Sequence, residues 1–117
     1  MQLKQGQTDY KIRAAVDYVD GTQITQQELA NAISIEIEYV WDSFEGQETE
    51  KATWVCTGYS IFPDGPLVGK PYVYYQATTD DAVPVGSSKL IGQVKIVDED
   101  GLVSYGSTFS INVQPSV

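Results

Sequence analysis

A chain of 117 residues with 16 acidic and 7 basic side chains, one cysteine and no histidine fits a single domain spanning 1–117. Its formal charge of −9 makes nucleic acids and acidic membrane surfaces poor partners. The lack of imidazole removes the commonest general base, the commonest metal ligand and every histidine-dependent triad, and the lone thiol of Cys56 forms no internal bridge.

The opening MQLKQGQTDYK is polar and lacks the apolar run of a signal peptide, and no stretch approaches the roughly 20 apolar residues of a membrane span. The expectation is synthesis in a cytoplasm, with no membrane insertion. From there two-residue alternation dominates. Tyr10, Ile12, Ala14, Val16 and Tyr18 share one face of a first strand, with Lys11, Arg13 and Asp17 on the other. Residues 19–22 supply a turn around Gly21. Thr25 and Glu28 then form a capping-box pattern, and Leu29 and Ala32 seal at most one short helical turn near 25–31.

The clearest strand follows, with Ile33, Ile35, Ile37, Tyr39 and Trp41 on one side and Ser34, Glu36, Glu38 and Asp42 on the other. Residues 43–51 read as an exposed acidic hairpin loop. Residues 52–59 return as a strand carrying Trp54 and Cys56. The next stretch, 61–71, holds three prolines and two glycines and reads as a loop. Residues 72–77 form a short strand that is apolar on both faces, and 79–87 form another loop. Leu90, Gly92, Val94 and Ile96 alternate into a tight turn at 98–101, and a last strand points Phe109, Ile111 and Val113 inward. Short strands separated by regular turn signals, without helix–strand alternation, predict an all-β, immunoglobulin-like antiparallel sandwich of about six to eight strands.

Catalytic and metal sites find no support in these residues. Glu36 and Glu38 share a strand face that reads as solvated, whereas a catalytic carboxyl needs burial or a partner. The Asp98-Glu99-Asp100-Gly101 run lacks the spaced ligands of a calcium loop and reads as a turn. No base lies near Cys56 in the sequence, and no nucleotide-binding or nucleophile-elbow motif occurs. The reading is a non-enzyme without catalytic residues, metal or cofactor. The aromatic load is more informative. Eight tyrosines, two tryptophans and three phenylalanines exceed what one core face explains, and Tyr72, Tyr74 and Tyr75 crowd one short strand. With the loop residues Phe44 and Phe62, they are the candidate contact residues. Trp41 and Trp54 flank the acidic loop and are expected to form a cross-strand pair closing that hairpin.

Residues 88–96, the turn at 98–101 and the Thr108-Phe109-Ser110-Ile111-Asn112-Val113 strand resemble the last hairpin of the N-terminal domain of phage baseplate upper proteins. The Gln5-Gly6-Gln7-Thr8 opening, the alternating first strand, Asp20-Gly21 and the strand at 33–41 are similar to that domain in the same order. The segment 42–70 departs from it by being longer and more acidic. The resemblance implies a structural, non-enzymatic module of a bacteriophage or prophage virion (baseplate, tail or head surface), made in the bacterial cytoplasm. Its implied partners are other virion proteins or copies of itself. The alternative is a carbohydrate-binding or adhesin-type module, in which the tyrosine cluster, Trp41 or Trp54 stacks on a glycan.

Overall fold

The computed structural model describes residues 2–16, 24–42, 49–78, 83 and 89–114. Strands β1 (Gln2–Lys4) and β2 (Lys11–Ala15) precede a helix α1 (Gln26–Asn31). They are followed by β3 (Ser34–Asp42), β4 (Thr49–Val55), β5 (Gly58–Ile61), β6 (Pro71–Gln76), β7 (Lys89–Val97) and β8 (Val103–Gln114). Five strands form one sheet in the order β1-β8-β7-β3-β4, and three form the other in the order β2-β6-β5. Taking β2 to β8 in chain order as B, C, C′, D, E, F and G, the sheets are B-E-D and G-F-C-C′, the immunoglobulin arrangement.

Alternation is what makes the two sheets close on one another. Ile12 and Ala14 of β2, Ile37 of β3 and Leu90, Val94 and Ile96 of β7 all point inward and are buried. Each fully buried aliphatic side chain of this kind contributes roughly 1.5–3 kcal/mol. At α1 the Thr25 hydroxyl accepts from the Glu28 amide at 3.2 Å, while the Glu28 carboxylate accepts from the Thr25 amide at 3.3 Å. That capping box stops the chain from fraying where Leu29, 2% exposed, plugs the core. Ile33 is the exception to the inward row: it precedes β3 and is 66% exposed.

Three expectations need correction. First, the pairing is not wholly antiparallel. β1 runs parallel to the end of β8, with Gln2 opposite Asn112 and Lys4 opposite Gln114. Second, residues 52–59 are not one strand. The Cys56 amide donates to the Ile35 carbonyl in the five-stranded sheet, and the next amide, Thr57, donates to Tyr74 in the other. The chain therefore changes sheets between adjacent residues. Gly58 permits the crossing, because a Cβ there would stand 2.8 Å from the Tyr74 hydroxyl. Third, the acidic hairpin connection is shorter than 43–51, since β4 already begins at Thr49. The turn expected at 19–22 and most of the loop at 79–87 lie outside the described residues.

Candidate functional site

Register decides which aromatic residues meet. On β6, Tyr72 and Tyr74 lie opposite Ala15 and Arg13 of β2, on the outer face of the three-stranded sheet. Phe62 follows β5 and lays its ring 4.6 Å from that of Tyr72, which in turn lies 6.3 Å from Tyr74. Three of the predicted contact residues thus form one row. Two cations from β2 cover it, with Lys11 Nζ 4.3 Å above the Tyr74 ring and the Arg13 guanidinium 5.6 Å from the Tyr72 ring. Each such contact contributes about 0.5–1 kcal/mol at an exposed site. Tyr72 is consequently only 8% exposed. The two cations thus lie over the tyrosine rings on which a glycan would stack in the carbohydrate-binding alternative.

The structure turns Tyr75 the other way, into the core, which removes it as a surface contact. Phe44 lies outside the described residues. Inside the sandwich, Tyr75 meets Trp54 with ring centroids 5.9 Å apart, and Trp54 stacks on Tyr39 at 3.8 Å. Tyr10 joins edge-on at 6.1 Å from Trp54. The expected Trp41–Trp54 pair does not form: Trp41 lies opposite Glu50 and Trp54 opposite Ile37. Tyr39 stands between them and stacks on both, with Trp41 at 5.5 Å. The price of this packing is a buried Trp54 indole N–H without a hydrogen-bond partner.

The outer face of the five-stranded sheet escaped the sequence reading. Outward positions of β4, β7 and β8 bring Val55, Ile91, Val103 and Tyr105 to the surface, 39–66% exposed. At its centre Glu38 faces Lys95 at 3.6 Å and Lys51 at 4.0 Å. The signal was present in the sequence, because these apolar residues occupy the strand positions between core residues, where an antiparallel sheet is normally polar.

Chemistry finds little to work with. Burial, with the Glu36 carboxylate adding, pushes the Cys56 thiol up to about 12, so it stays protonated at neutral pH. The Asp98 carboxylate accepts from the Asp100 and Leu102 amides, both at 2.9 Å, and is used up in holding its own turn. Among the described residues no cluster of histidine, cysteine or acidic side chains has the geometry to hold a metal ion. No helix among them is long and apolar enough to cross a membrane. Compared with known proteins, the chain matches no family model, no curated protein and no solved structure.

Proposed function

We propose that this protein is a non-enzymatic assembly module that acts through protein–protein contacts. The observation that carries the reading is the outer face of the five-stranded sheet, where Val55, Ile91, Val103 and Tyr105 stand exposed around the Glu38–Lys95 ion pair. The register sets these exposed apolar side chains among Glu36, Glu38, Gln93 and Lys95, so the face offers apolar contact together with charges that can set register. The assembly is a bacteriophage or prophage virion, on the resemblance of the first strand and last hairpin to the baseplate upper protein domain. The partners are then virion proteins or further copies of this chain.

The test is light scattering coupled to size-exclusion chromatography over a concentration series, on the natural chain and on the double variant Ile91→Glu, Val103→Glu. The natural chain forms a closed oligomer, and the double variant is monomeric with an unchanged melting temperature. A natural chain that stays monomeric throughout overturns self-assembly and leaves other virion proteins as the partners, whereas a double variant that assembles equally well overturns the role of this face.

A further inference from the structure

We propose that the open side of the sandwich, between β2 and β8, accepts an extended segment of a partner protein as a further strand antiparallel to β2. In that segment carboxylates alternate with small apolar side chains. The edge is separate from the outer face on which the assembly reading rests, so either can fail alone.

Hydrogen-bond direction shows that the edge is unpaired among the described residues. In an antiparallel ladder, alternate residues turn their amides and carbonyls toward the same neighbour. Ala77 donates to the Tyr10 carbonyl and Val16 to the Pro71 carbonyl, so the even-numbered residues of this stretch face β6. Lys11, Arg13 and Ala15 therefore direct their backbone groups away from the sheet, and no described residue receives them. This is the place beside strand B that constant-type immunoglobulin domains fill with their first strand. Here β1 joins β8 instead, and it reaches only Asn112 to Gln114. The preceding part of β8 lies beyond β1's reach.

Between these two edges lies a cleft of about 390 Å³ lined by residues 12–15 of β2 and 107–111 of β8. Its geometry follows from the residues. Ala14 and Ala15 are small, and β8 shifts register against β7 between Gln93 and Lys95, a bulge that bends the strand. Gly92 leaves room for the Phe109 ring to fold inward over it, since a Cβ at Gly92 would stand 2.6 Å from the ring. Phe109 and Ile111 thereby give the cleft an apolar wall. Inward side chains of an added strand meet that wall and must be small.

Charge selects the outward side chains. The chain carries a net charge of −9, yet both cations of β2 lie on its outward side. Among the described residues neither has a carboxylate partner; the ion pairs found there both involve Glu38 of the other sheet. Carboxylates on an adjacent antiparallel strand fall directly opposite Lys11 and Arg13. Backbone pairing supplies affinity in this mode of recognition, and the side-chain alternation supplies specificity.

The test uses two end-blocked synthetic peptides, Gly-Glu-Val-Glu-Ala-Glu-Val-Gly and its analogue with lysine for glutamate, titrated into the whole chain and followed by amide hydrogen exchange. With the acidic peptide, the amides of Lys11, Arg13 and Ala15 exchange about tenfold or more slowly. The lysine peptide binds at least roughly tenfold more weakly, and Arg13→Glu reverses the preference. Arg13 is exposed, so its substitution costs the contact with the Tyr72 ring and lowers the melting temperature slightly, and a cooperative melt verifies that the fold is kept. Unchanged exchange along β2, protection at β4 in its place, or equal binding of the two peptides overturns the proposal.

Discussion

The two outer faces of this sandwich carry apolar side chains where solvent is expected, and they dispose of them in opposite ways. On the three-stranded sheet the excess is aromatic. Phe62, Tyr72 and Tyr74 form a row of tilted ring contacts, with Lys11 over the Tyr74 ring and Arg13 over the Tyr72 ring. On the five-stranded sheet the excess is mainly aliphatic. Val55 at 66% and Val103 at 51% exposure stay open to solvent. An aromatic surplus drew attention to the first face, yet the second is the one left open. Rings attract cations through their quadrupole, whereas β-branched chains offer nothing to hold a cover in place.

The aromatic cluster inside the sandwich sets the scale against which both faces are measured. Trp54→Ala removes a ring that is 2% exposed and stacked at 3.8 Å on Tyr39, and costs about 3–5 kcal/mol in urea unfolding. Trp54→Phe keeps a ring and deletes the unpaired buried N–H, so it recovers a large part of that loss. If Trp54→Phe is as costly as Trp54→Ala, the indole N–H has a partner that matters.

The comparison of the faces themselves is sharpened by one residue from each. Tyr72→Ala uncovers Phe62 and strips the Arg13 guanidinium of its ring, and costs about 2 kcal/mol. Tyr105→Ala, from a residue 39% exposed on the other face, stays within about 0.5 kcal/mol. Matching urea midpoints for the two variants would break the distinction between a closed face and an open one.

Alternation and capping made β2, β3, β7, β8 and α1 legible in the sequence, because each is specified by residues close together in the chain. β1 was not legible. Gln2-Leu3-Lys4 holds a single apolar residue, and its strand character comes from pairing with Asn112 to Gln114 at the far end of the chain. The change of sheet after Cys56 was equally hidden, since its alternation runs on unbroken while the hydrogen bonds move from Ile35 to Tyr74. Of the candidate contact residues, the sequence showed that both faces of β6 are apolar. It did not show that Tyr72 would be sheltered, because its covers, Arg13 and Phe62, arrive from different strands. The edge of β2 that is unpaired among the described residues was beyond reach for the same reason: an edge is a property of topology, and no residue type announces it.

Cys56 sits at the crossing between the two sheets, and its thiol reports whether that joint is shut. Its folded pKa of about 12 lies above the ordinary 9.0, chiefly from burial and secondarily from the Glu36 carboxylate. A thiol harder to ionise folded than unfolded favours folding fully below the unfolded value. Its contribution then falls away as pH climbs from 9.0 through about 12, because only the unfolded chain gains from losing the proton. The informative quantity is a difference between two chains that share every titratable group but this thiol. Between pH 8 and 11, the urea midpoint of the natural chain is expected to fall more steeply than that of Cys56→Ala. At pH 8 its thiol is expected to react with a disulfide reagent far more slowly in the folded chain than in urea. Parallel pH profiles together with rapid reaction in the folded state would mean that solvent enters between the sheets at Cys56. The two faces would then belong to layers that part at this crossing.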